Sequence, residues 1–305
     1  MSTAITEHPE RVNPFAPDPD LKIWMDGQLV PVSEARISVF DHAVLYGDGA
    51  FEGIRIYAGK IFKEAEHIRR FYESAKGIRL QIPMTPQQVS DAMHSAMDAN
   101  GITGDGYIRL VVTRGVGSLG LSVVHTACPT VFVIADKIAL YPAEVYDRGL
   151  HCVVSSIVRN HPNSISPRIK SLNYLNNIMA KLESRDAGAD EAIMLTFDGR
   201  VSECSGDNIF LVRNGEIATP PTSEGILEGV TRGVVMELAR KRGIRVEEKA
   251  LIRHDLYVAD ECFATGTAAE VVPITMIDRR PVGDGTPGAI TRQLNADFMA
   301  YRTNG

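Results

Sequence analysis

The sequence has 305 residues, which is long enough to bury a sizeable hydrophobic core and predicts two domains. Hydrophobic residues make up 44% and charged residues 23%, as in ordinary globular proteins, and the net charge of −6 argues against nucleic acid or an anionic membrane as the main partner. Cys128, Cys152, Cys204 and Cys262 are scattered without a C-x-x-C pair, so neither a disulfide framework nor a structural zinc site is predicted. Since no N-terminal signal core is visible, we expect a cytoplasmic location.

The first half of the chain predicts a small domain. Residues 1–21 are rich in proline and acidic residues, which predicts a flexible arm. From Lys22, short apolar runs alternate with Asp-Gly and Ala-Gly turn signals, which indicates a small antiparallel sheet. Two helices are predicted next, EHIRRFYESAKGI, which ends at Gly77, and TPQQVSDAMHSAMDANGI. The strand-like runs GYIRLVVTR and PTVFVIAD then complete a small domain over residues 22–138.

The second half predicts a larger domain. The segment IALYPAEVYDRG contains the predicted linker, residues 139–147, which leads into a domain over residues 148–305. That domain is predicted to contain a strand (HCVVSSIVR), hairpins at Asp198-Gly199 and Asn214-Gly215, and a helix (GVTRGVVMELARKRG). Further strands are predicted at IRVEEKAL, ECFATGT and EVVPITMID. The mixture of helices, strands and hairpins predicts the α/β class in its α+β form, with mixed sheets.

A lysine stands in an unusual segment, SPRIKSLNYLNNIMAK, residues 166–181. Apolar residues recur there near helical spacing and predict one buried helix face: Leu172, Leu175, Ile178 and Leu182. Because Pro167 suits a helix entrance, Lys170 is predicted in or just before the first turn, with Tyr174 one turn further along. A lysine taken alone is usually solvated, so other motifs must decide its role.

The glycine-rich run GVGSLG, residues 115–120, offers a competing interpretation. It matches G-x-G-x-x-G after a strand, and Asp136 ends the next apolar run where a ribose-binding acid would stand, as in a dinucleotide-dependent oxidoreductase. The fingerprint requires a helix directly after its glycines. The following LSVVHTACP is short, β-branched and closed by proline, so we expect a flexible loop between two strands at a substrate entrance.

Several motifs predict anion binding, each with an ordinary structural alternative. In GILEGVTRG, Gly229 opens a helix whose first amides, those of Val230 and Thr231, attract phosphate, unless this is simply a helix start. ATGTAAE ends a strand in a tight Gly-Thr turn. Arg70 in HIRRF is either a surface arginine or a phosphate clamp. Glu203 in VSECSGDNIF requires a cationic or protonated partner if it is buried.

Seven motifs together resemble a known family: LYGDGAFEGIR, EHIRRF, YIRLVVTRG, IKSLNYLN, SECSGDNIF, LEGVTR and ATGTAAE. Their order and spacing over residues 22–300 are similar to class IV pyridoxal-phosphate aminotransferases, with branched-chain amino acid aminotransferases the closest match. The resemblance implies the fold-type IV architecture, a small N-terminal α/β domain and a larger C-terminal domain with the cofactor between them. It also implies homodimers or larger homo-oligomers, in which loops contribute residues across the interface.

The resemblance assigns roles to individual residues. Lys170 matches the catalytic lysine that binds pyridoxal 5'-phosphate covalently, Tyr174 the residue at the ring oxygen, and Glu203 the partner of the pyridine nitrogen. The remaining residues expected to bind the cofactor are Arg70, Leu227, Val230, Thr231, Gly266 and Thr267. The residues expected to line the substrate pocket are Tyr46, Phe51, Gly53, Tyr107, Arg109, Tyr141, Thr267 and Ala268.

The activity implied by the resemblance is transfer of the amino group of leucine, isoleucine or valine to 2-oxoglutarate in two half-reactions, with no metal. Related activities on this fold are D-amino acid transfer, (R)-amine transfer and aminodeoxychorismate lysis, and the fold alone does not choose among them. The loop after Arg114 lacks the Arg-x-His pattern typical of D-amino acid enzymes, which favours the branched-chain activity. Cys204 departs from the family pattern, which more often has glycine or alanine beside the glutamate, so we expect it to crowd Glu203 or change how it is held.

Overall fold

The computed structural model describes residues 16–137 and 141–304, so most of the expected N-terminal arm and the start of the expected linker lie outside the described residues. The helices are α1 His42–Tyr46, α2 Glu64–Gly77, α3 Pro86–Ala99, α4 Ala143–Arg148, α5 Leu175–Asp186, α6 Val230–Lys241, α7 Arg253–Tyr257 and α8 Ala289–Asn304. The strands of the first half are β1 Lys22–Met25, β2 Gln28–Pro31, β3 Gly49–Tyr57, β4 Lys60–Ile61, β5 Gly106–Thr113, β6 Val116–Gly117, β7 Thr126–Ala127 and β8 Val131–Asp136. Those of the second half are β9 Leu150–Val154, β10 Glu191–Leu195, β11 Val201–Cys204, β12 Asn208–Arg213, β13 Glu216–Thr219, β14 Val246–Glu248, β15 Glu261–Gly266, β16 Glu270–Ile277 and β17 Arg280–Pro281.

The first sheet has six strands in the order β2-β1-β8-β5-β3-β4, and every neighbouring pair is antiparallel, as predicted. The helices α2 and α3 pack on it. Thr85 explains why α3 begins where it does, because its hydroxyl accepts from the amide of Gln88 while the Gln88 side chain accepts from the amide of Thr85. The buried residues of the core under these helices all lie between residues 50 and 135 of the chain.

The second sheet has nine strands and is mixed. Its order is β11-β10-β9-β16-β15-β12-β13-β14, with β17 on β16, and β9 runs parallel to both β10 and β16. The predicted hairpin at Asn214-Gly215 joins β12 to β13, and both residues have positive φ (51° and 78°), as a tight two-residue hairpin turn requires. The fold is therefore mixed α/β, as predicted. We propose domain boundaries at residues 138/139 and 147/148, since each half contains its own sheet.

The structure of the glycine-rich segment, residues 115–127, shows whether it is a dinucleotide-binding motif or a connecting loop. Val116–Gly117 pairs with Thr126–Ala127 in a two-stranded ribbon, and a single turn of 3-10 helix lies between them at Val123–His125. Since no α-helix follows the glycines in this described segment, they cannot present an α-helix N-terminus to a pyrophosphate. The prediction of a loop joining two strands is confirmed.

The predicted position of Lys170 at a helix entrance is wrong. Helix α5 begins at Leu175, and the lysine lies five residues earlier in an extended segment. The backbone there pairs with the start of β3, because the Lys170 carbonyl accepts from the Phe51 amide (3.0 Å) and the Leu172 amide donates to the Gly49 carbonyl (3.0 Å). Strand pairing, rather than a helical turn, therefore fixes the backbone at Lys170.

The prediction that the apolar side of this helix is buried is also wrong for most of its residues. Helix α5 buries its small and polar side against the rest of the chain, at Asn177, Ala180 and Ser184. The apolar side is open to solvent: Leu175 is 69% exposed, Ile178 52% and Leu182 47%. Within the described residues no helix is both long and apolar enough to cross a membrane, and the cytoplasmic location stays a prediction.

Candidate active site

A cavity of about 610 Å³ opens between the two sheets and brings distant motifs together. All the residues predicted from the sequence to bind cofactor or substrate line it, with the exception of Tyr46. The first sheet contributes side chains from β3 and β5, and the second contributes the β11–β12 turn, the start of α6 and the turn after β15. The predicted site residues that line it are Phe51, Gly53, Arg70, Tyr107, Arg109, Tyr141, Lys170, Tyr174, Glu203, Leu227, Val230, Thr231, Gly266, Thr267 and Ala268.

Lys170 lines this cavity, and its amine lies close to two aromatic rings. Its Nζ is 3.1 Å from the hydroxyl of Tyr174 and 4.6 Å from the centroid of the Phe51 ring. Its backbone amide donates to the Ser74 hydroxyl (3.0 Å), which anchors the segment to α2. No carboxylate forms an ion pair with Lys170 in the part of the chain that is described, whereas Lys181, which also lines the cavity, is paired with a glutamate. Within the described chain the Lys170 side chain is therefore not held by an ion pair, so it is available to a ligand bound in the cavity.

One wall of the cavity has the features of a phosphate site. Arg70 uses three of its five N–H groups within the protein, two for the carboxylate of Glu52 (2.7 and 2.8 Å) and one for the Glu228 carbonyl (2.8 Å). Two N–H groups remain. Arg70 lines the cavity together with Val230 and Thr231, whose amides are the first of α6 and have no partner inside the helix.

Glu52 holds Arg70 in place, although this role was not predicted from the sequence. It is fully buried in β3, and its carboxylate also contacts His67 Nδ1 at 2.8 Å. Burial alone would raise the pKa of Glu52, but the charge and hydrogen bonds of Arg70, helped by His67, lower it to about 2. The carboxylate is therefore ionised at neutral pH and fixes the guanidinium by two parallel hydrogen bonds. The one sequence feature that could have indicated this role is the position of Glu52 inside the motif LYGDGAFEGIR.

Glu203 is held from both sides by hydrogen-bond donors. Its Oε1 accepts from Nε and Nη2 of Arg159 (3.1 and 2.8 Å), and its Oε2 accepts from Asn208 Nδ2 (2.9 Å) and the Leu227 amide (3.0 Å). Burial raises the pKa of Glu203 above its usual value, while the Arg159 charge acts in the opposite direction. The requirement for a cationic partner is thus met by Arg159, whose own motif, IVRNHP, gave no sign of it from the sequence.

The turn after β15 completes the wall opposite the sheet of β5. Gly266 is required there, because a Cβ on this residue would come within 1.8 Å of the Asp207 carboxylate. The Thr265 hydroxyl has no hydrogen-bond partner within the described chain, and the residue lines the cavity. An unpaired buried hydroxyl and unpaired helix amides around one cavity indicate a polar ligand, so these residues fit a phosphorylated cofactor.

The wall formed by β3 and β5 carries an arginine without a carboxylate partner. Tyr107 and Arg109 stand two apart on β5 and face the cavity together. The guanidinium of Arg109 lies 4.6 Å from the centroid of the Phe51 ring and 5.6 Å from that of Tyr107. Among residues 16–137 and 141–304, no carboxylate forms an ion pair with Arg109. Gly53 leaves space for the Tyr107 hydroxyl, which a Cβ would meet at 2.0 Å.

The structure differs from the sequence predictions for two residues of the site, Tyr46 and Cys204. Tyr46 is the predicted pocket residue that does not line the cavity, because its hydroxyl accepts from the Gly120 amide (2.8 Å) and α1 holds it 37% exposed at the surface. Cys204 was expected to crowd the site or to change how Glu203 is held. Successive strand residues point to opposite faces, so Glu203 faces the cavity and Cys204 is fully buried in the core of the second sheet.

Comparisons with known proteins agree with this geometry. Residues 49–277 match the family model described as Amino-transferase class IV. A protein of Methanocaldococcus jannaschii named as a putative branched-chain-amino-acid aminotransferase is 46% identical over 93% of this chain and 97% of its own length. A crystal structure of the T.th. branched-chain amino acid aminotransferase complexed with N-(5'-phosphopyridoxyl)-L-glutamate has a TM-score of 0.88 at 38% identity, covering 93% of this chain and 95% of that one. Another structure of the T.th. enzyme, complexed with 4-methylvaleric acid, has a TM-score of 0.88 at 39% identity over 93% and 94%.

One antiparallel sheet and one mixed sheet, with a lysine-bearing cavity between them, define an α/β enzyme of the fold-type IV architecture. The match covers most of the chain in both sequence and structure. The chain belongs to the class IV aminotransferase family.

Proposed function

We propose that this protein transfers the amino group of leucine, isoleucine or valine to 2-oxoglutarate with pyridoxal 5'-phosphate as cofactor. The observation that carries the proposal is a cavity lined by Lys170, by a phosphate-type cradle and by the Arg109 guanidinium, in which neither Lys170 nor Arg109 has a carboxylate partner within the described chain. The named ligands of the similar T.th. structures support it, since one contains phosphopyridoxyl and L-glutamate groups and the other is a branched aliphatic acid.

The cavity offers a place for each part of the cofactor. Arg70, the amides of Val230 and Thr231, and Thr267 would hold the phosphate. Glu203 would face the pyridine nitrogen, and Arg159, which is hydrogen-bonded to its carboxylate, opposes the effect of burial on the charge of that carboxylate. When bound, pyridoxal phosphate supplies an electron sink for the charge that develops at the substrate α-carbon.

Lys170 has two tasks in this proposal. Its amine would hold the cofactor covalently, and the same amine, when it is free, would take the proton from the substrate α-carbon. The Tyr174 hydroxyl, 3.1 Å away, orients the amine as it moves. The pairing of residues 170–172 with β3 keeps the backbone fixed, so that the side chain alone has to travel.

Both substrates use one cavity because its walls combine rings with a cation. The faces of Phe51, Tyr107 and Tyr141 provide apolar surface for an aliphatic side chain. Arg109 provides charge-assisted hydrogen bonds to the second carboxylate of glutamate or 2-oxoglutarate. Burial raises the pKa of the Tyr141 phenol, which therefore stays a neutral hydrogen-bond donor at every physiological pH.

We also propose that the protein is a homodimer, because the apolar side of α5 is exposed to solvent. Its apolar residues are continuous with the cavity mouth, because Ile178 both lines the cavity and is 52% exposed. Exposed apolar stretches of this kind mark interaction surfaces. A second copy covering this side would bury it and bring its own Tyr46, which does not line the cavity of its own chain, towards the cavity of its neighbour.

The dimer proposal has a direct test. Lys170→Ala and Tyr46→Ala homodimers should both be nearly inactive, and unfolding and refolding them together should restore activity, because mixed dimers contain one site with both residues. Leu175→Glu should shift the mass in solution to that of one chain, whereas Leu29→Glu, at an exposed apolar residue on β2 of the first sheet, should leave it unchanged. A wild type that is monomeric and fully active would contradict the dimer.

The activity is tested with a panel of amino donors, with 2-oxoglutarate as acceptor and the oxo-acid products identified by mass spectrometry. L-leucine, L-isoleucine and L-valine should be the best donors. Preference for D-alanine or an (R)-amine would instead establish one of the related transaminases. Release of pyruvate from aminodeoxychorismate without amino transfer would establish the lyase.

A further inference from the structure

The carboxylate of Asp207 occupies a position that the proposed mechanism does not use. Asp207 stands in the turn between β11 and β12, where its carbonyl accepts from the Cys204 amide at 2.8 Å. The residue is only 8% exposed, and its side chain packs directly over Gly266. It lines the same cavity as Lys170, and its Oδ1 lies next to Gly266, which also lines the cavity.

Asp207 differs from the other buried carboxylates of the cavity, because no residue of the described chain is bound to its carboxylate. Glu203 is bound by Arg159, and Glu191 accepts from Lys181 Nζ at 2.6 Å and from the Ser205 hydroxyl. No side chain or backbone group of the described chain donates a hydrogen bond to the Asp207 carboxylate, and no cation there forms an ion pair with it. A buried carboxylate is costly in its charged form unless it is paired, so the unpaired state of Asp207 points to a role towards the ligand.

The charges around Asp207 make its protonation responsive near neutral pH. Burial raises the pKa of Asp207 to about 7, the nearby Glu191 and Glu203 charges act in the same direction, and Lys181 and Lys170 oppose them. The charge of Asp207 also interacts with three titratable side chains of other elements: Tyr141, Tyr146 and Cys204. The side chain therefore passes from a neutral acid to a carboxylate over the pH range in which such an enzyme works.

We propose that Asp207 is a specificity-determining residue that selects ligands by their net charge: its carboxylate form lowers the affinity of the cavity for acids in proportion to their negative charge, and its neutral form does not. The inference rests on the proposed function, in which this cavity binds amino acids and 2-oxo acids. A zwitterionic branched-chain amino acid carries no net charge, its 2-oxo acid carries one negative charge and 2-oxoglutarate carries two. Rising pH should therefore disfavour 2-oxoglutarate most and the branched-chain amino acid least.

The test measures binding of unreactive ligands to the cofactor-loaded enzyme between about pH 6.5 and 8.5, a range that spans the raised pKa of Asp207. Glutaric acid provides two negative charges, 4-methylvaleric acid one, and 4-methylvaleramide none. For the wild type, each ligand charge should weaken binding on the order of tenfold over this range, the size of a like-charge interaction several ångströms apart at the effective dielectric of a protein site. The amide should bind equally at all pH values.

The variant Asp207→Asn keeps the shape of the side chain and removes its charge. In this variant, the affinities for glutaric acid and 4-methylvaleric acid should change with pH by the same factor. Asp284→Asn, at an exposed carboxylate outside the cavity, should retain the wild-type slopes. Equal slopes in wild type and Asp207→Asn, with both acids bound, would overturn charge selection and leave the proposed function intact.

A second measurement uses the wild type alone and does not depend on how any variant folds. Because glutarate favours the neutral form of Asp207, its binding at about pH 7.5 should take up a fraction of a proton, seen as a binding heat that changes with the ionisation enthalpy of the buffer. 4-Methylvaleramide should take up none. Binding heats independent of the buffer for glutarate would contradict the inference. Failure of the wild type to bind either acid would overturn both the inference and the proposed function.

Discussion

Arg109→Leu tests whether the unpaired cation in the cavity recognises the second carboxylate of the acidic substrate. The guanidinium rests on the rings of Phe51 and Tyr107, with centroid distances of 4.6 and 5.6 Å, and has no acidic partner in the described chain. Removing it therefore leaves no carboxylate of the described chain buried and newly unpaired. The cost to the fold is limited to the ring contacts, about 0.5–1 kcal/mol each for a partly exposed site.

The cost to catalysis should fall on one substrate. A hydrogen bond between charged groups contributes about 1.5–3 kcal/mol, so the glutamate half-reaction of Arg109→Leu should slow by roughly 10- to 150-fold in kcat/KM. The branched-chain half-reaction makes no such bond, and leucine at residue 109 retains apolar surface for it. We expect that half-reaction to change by less than about threefold.

Stopped-flow absorbance of the bound cofactor measures each half-reaction separately, with L-leucine in one experiment and L-glutamate in the other. Arg109→Lys is the matched control, because it keeps the charge and loses the planar fork, and it should fall between wild type and Arg109→Leu for glutamate alone. Equal losses for leucine and glutamate in Arg109→Leu would refute the recognition role and show that Arg109 supports the shape of the cavity instead.

Two further substitutions test the support of the cofactor. Glu52→Gln should weaken retention of the cofactor during dialysis, because Arg70 loses its charged anchor, and should destabilise the protein by about 3–5 kcal/mol at neutral pH in urea. Since the pKa of Glu52 is lowered from 4.5 to about 2, its contribution is present above pH 4.5 and fades towards pH 2, where the variant and wild type should converge. Glu203→Gln should retain the cofactor yet lose most of its turnover, and near-normal turnover would show that Glu203 does not serve the pyridine nitrogen.

The elements with strong local signals could be predicted from the sequence. The capping pattern of Thr85 and Gln88 determines the start of α3, and the Asn214-Gly215 pair determines a hairpin, because both depend on interactions between near neighbours. Lys170 could not be placed this way. Its carbonyl accepts from the Phe51 amide and its amide donates to the Ser74 hydroxyl, and both partners lie far earlier in the chain, so long-range contacts override a local helical pattern.

The exposed side of α5 shows a second limit. The spacing of Leu175, Ile178 and Leu182 indicated a helix face that avoids water, but periodicity does not say whether its own chain or another covers it. Arg159 and Asp207 were missed for a different reason. Their importance comes from what stands opposite them in space, a glutamate in one case and no partner within the described chain in the other, and the sequence does not display either fact.

The most direct test of the account is the identity of the lysine that binds the cofactor. Two lysines of the described chain line the cavity, and of these Lys181 is engaged by a carboxylate, that of Glu191, whereas Lys170 is not. Borohydride reduction of the purified, cofactor-loaded enzyme, followed by peptide mass mapping, should find the pyridoxyl group on Lys170 alone, and Lys170→Ala should acquire none and lose turnover. A pyridoxyl group on Lys181, or an active enzyme without a modified lysine, would contradict the account.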